Sequence, residues 1–194
     1  MIQIRDNVFE TNSSSTHSLC ISKEKFDPKN IPKYLNITAN EDFGWRRDTY
    51  STAEEKANYI YEVMCECGMI AELKDFKSKI KNLGIKASYP RMEKDKWDDI
   101  VIGGYVDHAG EAAPFVHELL KDEDKLCRFL FDYKSVVYTG SDSEDDGDAS
   151  CYVAEAAENN GYTWGYDENE DWKENLHVHP MYDPDHYEYF FKGN

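Results

Sequence analysis

Positive charge is scarce in this chain. Its 194 residues hold 22 Lys and Arg against 39 Asp and Glu, a formal net charge of −17. A surface of that sign repels nucleic-acid phosphates, so direct binding to free DNA is not expected. The sequence also lacks any run of about 18 apolar residues, the length a membrane-spanning helix needs. Its first residues include Arg5 but no apolar stretch of the secretory type. The five cysteines, Cys20, Cys65, Cys67, Cys127 and Cys151, are scattered and odd in number. That pattern excludes a complete disulfide framework and fits reduced thiols in a cytoplasm. No internal repeat is visible.

What is present is enough for a folded domain. Apolar residues make up 40% and aromatics 14%, and aromatic side chains carry large apolar areas into a core. The charge is uneven. Residues 141–194 hold 15 acidic and 2 basic residues, whereas residues 1–140 hold 24 and 20. The chain therefore divides into a nearly balanced body, 1–140, and an acidic C-terminal part, 141–194, packed on the same domain. That last part also carries ten aromatics.

Residues 1–22 read as a hairpin, QIRDNVF and HSLCIS joined by a polar loop. Ser51-Thr52 followed by Glu54-Glu55 is a capping-box signature. Ala53, Ala57, Ile60, Tyr61 and Met64 continue it at helical spacing, with Gly68 as the stop. A second helix fits Ile70, Leu73, Phe76, Ile80 and Leu83, ended by Gly84. Residues 99–106 (DIVIGGYV) read as a buried strand whose glycines permit close packing. Residues 111–131 hold one or two helices, with Phe115, Leu119, Leu126, Phe129 and Leu130 inside. KSVVYTG reads as another strand. Ser150 could cap a short helix, and YTWGY and HYEYFF read as strands. The expected class is α/β or α+β: a single mixed sheet with flanking helices and an acidic, aromatic-rich C-terminal β extension.

Three polar stretches could carry chemistry. ETNSSSTHS, residues 10–18, puts six hydroxyls, a carboxylate, an amide and an imidazole into nine positions. One strand runs from Val106 into Asp107-His108, and another from Thr139 into Asp142. Ligand sites gather at the carboxyl ends of strands in open α/β sheets. If the three meet, Glu10, His17, Asp107, His108 and Asp142 supply groups for acid–base work or for a divalent metal. Ser14 and its neighbours could bond a phosphate or position a water. The plainer readings are a loop of Asx and Ser/Thr turns for the first stretch and solvated strand ends for the others.

Other signals are weaker. SDSEDDGD, 141–148, lacks the ligand spacing of a calcium loop. His177 and His179, with Asp183, Asp185 and His186, could share one face of a strand and reach one ion, but a surface strand explains them as well. Cys65 and Cys67, two apart on a helix, point away from each other and make no zinc hook. The acidic, aromatic quarter suits a surface that docks a basic partner, because carboxylates steer and rings anchor. Trp164, Asp167, Glu168, Glu170, Asp171 and Trp172 are its candidate contacts.

The opening VFETNSSSTHS, with VDHAG at 106–110 and TGSD at 139–142, resembles a family of largely uncharacterised proteins from phages and mobile elements of low-GC Gram-positive bacteria. Ala109 and Ser141 depart from the family pattern, in which a polar residue and an amide are expected. The resemblance implies a bacterial host cytoplasm and an anti-defence setting that includes anti-CRISPR proteins; it implies no reaction. Two functions follow as expectations. The first is an inhibitor that docks a basic, nucleic-acid-handling host protein, foremost a CRISPR effector nuclease with or without its guide RNA. The second is a hydrolase or nuclease, with a divalent metal as candidate cofactor, that could cut the guide RNA.

Overall fold

The computed structural model describes residues 15–44, 48–94, 96, 100–141, 165–166, 172–173 and 187–192. Its elements run in the order β1 (Ser15–Ser22), a 3₁₀ turn (Pro28–Asn30), β2 (Tyr34–Asn36), β3 (Asp42–Phe43), β4 (Asp48–Tyr50), α1 (Ala53–Glu66) and α2 (Ile70–Asn82). Then follow β5 (Lys86–Ser88), β6 (Glu93–Lys94), β7 (Ile100–Val101), β8 (Tyr105–Val106), α3 (Ala109–Lys121), α4 (Glu123–Phe131) and β9 (Val136–Ser141). The acidic quarter contributes β10 (Gly165–Tyr166), β11 (Trp172–Lys173) and β12 (Tyr187–Lys192). The class is α+β. Parallel and antiparallel pairing are both present but divided. One four-stranded antiparallel sheet has the order β12-β1-β9-β4, while β2-β5 and β3-β8 are separate parallel pairs.

The helices begin and end where local chemistry dictates. Thr52 caps α1: its hydroxyl accepts from the Glu55 N–H at 3.3 Å, and the Glu55 carboxylate accepts from the Thr52 N–H at 2.9 Å. Gly68 and Gly84 stand just beyond α1 and α2 in the left-handed region, at φ +61° and +77°, where a Cβ would be strained. Leu73, Phe76 and Ile80 form the buried stripe of α2, and Leu119, Leu126, Phe129 and Leu130 are buried in α3 and α4; Phe115 is half-buried.

Two expectations are corrected. Both edges of His17–Cys20 are occupied, one by β9 and one by β12, which leaves that segment no edge for a hairpin partner. The first half of the expected hairpin lies outside the described residues. The continuous buried strand at 99–106 is instead two short strands, β7 and β8, in different pairs. Val101 and Tyr105 are 48% and 41% exposed. The break falls at the glycines: a Cβ on Gly103 would strike the Asn40 side chain, and one on Gly104 the Glu41 backbone. The glycines do permit close packing, but against the chain before β3. The expected helix after Ser150 lies outside the described residues.

α1 is the centre of the body. Every residue from Lys56 to Cys65 is buried, and α2, α3 and α4 all pack on it. Lys56 is fully buried. Its ammonium donates to the carbonyls of Asp132 and Ser135 at 2.7 and 2.6 Å, pinning the turn between α4 and β9. Burial pushes this amine down to about 7, against the pull of the Asp132 and Glu55 carboxylates. At the other side of α4, Lys125 and Arg128 reach Glu188 of β12 at 2.7 and 3.4 Å. Arg128 also donates to the Ser22 carbonyl at 2.7 Å.

A folded amine held below its ordinary pKa binds fewer protons than the unfolded one between pH 7 and 10.5. The Lys56 contribution to stability is therefore full above that window and is lost as pH falls through it, by up to about 1.4 kcal/mol per pH unit. The native chain and Lys56→Met should therefore diverge in urea titrations between pH 7.5 and 9.5, the native chain gaining relative stability as pH rises, because the buried Glu62 and cysteine thiols act alike in both. At pH 9.5 the variant should be less stable by about 2 kcal/mol because two buried carbonyls lose their donor.

Candidate functional site

One stripe of α1 is polar. Glu54, Asn58, Glu62 and Glu66 recur at every fourth residue, so they lie one above another on a single helical face. Each accepts from the backbone of a neighbouring strip. The Glu54 carboxylate accepts from the Asn36 N–H at 3.0 Å, and the Asn58 amide oxygen from the Thr38 and Ala39 N–H groups at 2.9 Å each. The Glu62 carboxylate accepts from the Glu41 N–H at 3.2 Å, and that of Glu66 from the Val106 N–H at 2.5 Å. Eight helical residues rise about 12 Å, while five extended residues reach roughly 16 Å. Ala39, in the left-handed region at φ +50°, takes up part of the difference. The strip thus runs alongside the helix and delivers β3 to its partner β8.

Gly44 and Asp107 come directly after those two paired strands. The register sets Phe43 beside Val106, and the Asp107 N–H donates to the Phe43 carbonyl at 2.9 Å. The pair abuts the four-stranded sheet at His17. A Cβ on Gly44 would lie 2.8 Å from the Asp107 Cβ and 2.8 Å from His17 Nε2. These two atoms are therefore no farther apart than twice that distance. Gly44 has φ +105°, and only a residue without a Cβ admits both the conformation and the contact.

His17 is 1% exposed and Asp107 7%. His17 Nδ1 stands 3.0 Å from the Tyr59 hydroxyl of α1. Burial, and the Glu66 carboxylate, raise the Tyr59 phenol far above its ordinary value, so that hydroxyl keeps its proton. Nδ1 and the Tyr59 hydroxyl share one hydrogen bond, and the other ring nitrogen, Nε2, faces Gly44 and Asp107. Asp107 accepts from the Tyr105 hydroxyl at 3.1 Å, and burial together with that carboxylate pushes the Tyr105 phenol up to about 12. Burial also raises Glu66 and pushes Glu62 up to about 8. The arrangement is an imidazole and a carboxylate that both close on one glycine, beside the buried Tyr59 phenol. Such a pair can hold and pass a proton.

The predicted residues fall unequally. His17 and Asp107 come together. Thr139, of the TGSD stretch, is the register partner of His17 across β1 and β9. His108 is exposed and stands at the N-cap position of α3 at φ +55°, in the left-handed region, with no side-chain cap hydrogen bond. It lies 3.8 Å from Asp107 and 3.4 Å from Glu111. Glu10, Ser14 and Asp142 lie outside the described residues, as do Trp164, Asp167, Glu168, Glu170 and Asp171; Trp172 belongs to β11, paired with Tyr166. Among the described residues no three His, Cys, Asp or Glu side chains gather closely enough to hold a metal ion, and no helix is long and apolar enough to cross a membrane. Cys65 and Cys67 are free thiols.

Sequence reasoning missed Gly44, Tyr59, Glu62 and Glu66. The period-four polar stripe on α1 was the available signal. Comparison with protein-family models, with curated proteins and with solved structures finds no match.

Gly44→Ala should destabilise the protein by about 2 kcal/mol or more, from backbone strain and overpacking. A thermal melt should show a fall in Tm of roughly 5 °C. An unchanged Tm would mean that His17 and Asp107 do not close on this glycine.

Proposed function

We propose that this protein is an acidic docking module that binds a basic, nucleic-acid-handling host protein and blocks it. The first candidate is a CRISPR effector nuclease, with or without guide RNA. The carrying observation is the charge distribution: −17 overall, with 15 acidic against 2 basic residues beyond position 140. Carboxylates at that density steer a cationic surface and disfavour phosphate. Ten aromatics in the same segment supply anchors of the kind that dominate interface energetics. The resemblance of the opening residues to mobile-element proteins supports the choice of partner. Ion pairing of Glu188 with Lys125 and Arg128 ties the acidic segment to the body and gives it a fixed base.

Reversing Asp167, Glu168, Glu170 and Asp171 to Lys should slow association with the captured effector about tenfold or more. Binding by the native chain should weaken steeply with salt, since exposed charges are screened over about 8–10 Å at physiological ionic strength. Kinetic titration against effector complexes, with and without guide RNA, reads both effects. Affinity indifferent to charge reversal and to salt would end this reading.

A second reading draws on the His17–Asp107 contact around Gly44: a hydrolytic centre in which the Asp107 carboxylate acts as general base and His17, braced by Tyr59, positions it, with guide RNA as the candidate substrate. Under it, His17→Gln and Asp107→Asn should each abolish cleavage of guide RNA held in its effector while circular dichroism stays native. Binding by the native chain without any cleavage of the guide RNA would leave docking as the sole activity.

A further inference from the structure

Glu62 is the exceptional member of the α1 stripe. It is fully buried. One carboxyl oxygen accepts from the Glu41 N–H, while the other, Oε2, is buried without a hydrogen-bond partner. That second oxygen faces the glycine pair: a Cβ on Gly104 would lie 2.6 Å from it. The charged groups felt at Glu62 are all carboxylates: Glu41 and Asp42 on the strip, and Glu66 one turn along its own helix. Tyr105 and Asp107 follow along β8, and Asp107 acts on Glu66. An ionised carboxylate here would be desolvated and face like charge with one oxygen uncompensated.

We infer that Glu62 is a pH-sensitive latch: with its proton it clips the Asn40–Gly44 strip and the Gly104–Asp107 segment to α1, and on ionising it releases them together. The two segments move as one because they are cross-linked. The Gly104 N–H donates to the Ala39 carbonyl at 2.7 Å, that of Tyr105 to the Glu41 carbonyl at 2.9 Å, and that of Asp107 to the Phe43 carbonyl at 2.9 Å. Release therefore carries Gly44 and Asp107 away from His17 while β1 stays in its sheet. The latch is a property of the fold and holds under either function proposed above.

The sign follows from linkage. The closed state holds the Glu62 proton up to about pH 8, whereas an opened, solvated Glu62 loses it near its ordinary value. Between those limits each pH unit favours opening about tenfold, and the effect levels off above the upper one. The contribution of Glu62 to closure is thus full below its ordinary pKa and is lost as pH rises towards 8.

Amide hydrogen exchange on the full chain, corrected for the intrinsic pH dependence of exchange, tests this. The amides of Glu41, Gly104, Tyr105 and Asp107 should lose protection by about tenfold per pH unit between pH 6.5 and 8, while amides of β9 hold theirs. In Glu62→Gln, which keeps the acceptor for Glu41 and cannot ionise, that slope should vanish. Equal slopes in the two proteins would overturn the latch. Should the Gln variant fail to fold, carbon-13 titration of the Glu62 carboxyl in the native chain decides. A midpoint above about 6.5 supports the latch, and a midpoint below it, in the ordinary carboxylate direction, overturns it.

Discussion

A helix surrounded on all sides can keep polar side chains only if each one meets a backbone group, and α1 is built under that constraint. Lys56 faces two carbonyls at the α4–β9 turn, Asn58 two N–H groups of the strip before β3, and Glu62 a third. Tyr59 faces His17. These are directional contacts, unlike the apolar packing of Ile60, Val63 and Met64 between them. Apolar burial supplies most of the driving force for collapse. The polar contacts choose which collapsed arrangement survives, because a shifted strip would leave several buried donors and acceptors unpaired at once. The register of β3 on β8, and with it the placement of Gly44 and Asp107 around His17, derives from this helix.

Much of the helical body was legible in the sequence because its signals are local. The Thr52–Glu55 capping box, the stripe of Leu73, Phe76 and Ile80, and the stops at Gly68 and Gly84 act within a few residues of themselves. The α+β class followed from them. DIVIGGYV misled for the opposite reason. Its apolar run looks like one strand, but Gly103 and Gly104 are spent on contact with Asn40 and Glu41, a partner sixty-odd positions away in the chain. The hairpin expected at the start failed similarly, since β1 takes its neighbours from β9 and β12. At the candidate site, His17 and Asp107 were legible as residue types in polar stretches. Gly44 was not, because nothing within Phe43-Gly44 announces that two distant side chains will close on it.

Acidic residues play two opposed parts here. In residues 141–194 they accumulate with few cations nearby in sequence, as a solvated, repelling surface would. In α1 Glu62 is folded inward, where desolvation favours its neutral form and its use is as a hydrogen-bond acceptor for a backbone N–H group. The same residue type thus serves long-range electrostatics outside and short-range geometry inside. Glu188 stands between the two regimes: it belongs to the acidic segment, yet the cations of α4 hold its carboxyl below the ordinary range.

The pairing of β1 with β12 joins segments separated by nearly the whole of the chain. Synthesis proceeds from β1 towards β12, so one edge of the strand bearing His17 must wait for almost everything else to be made. During that interval an extended segment containing Leu19, Cys20 and Ile21 presents unpaired backbone groups, the kind of edge on which chains aggregate. Non-local strand pairing is also slow to form. A chain that stops before residue 187 would leave one edge of β1 without its partner.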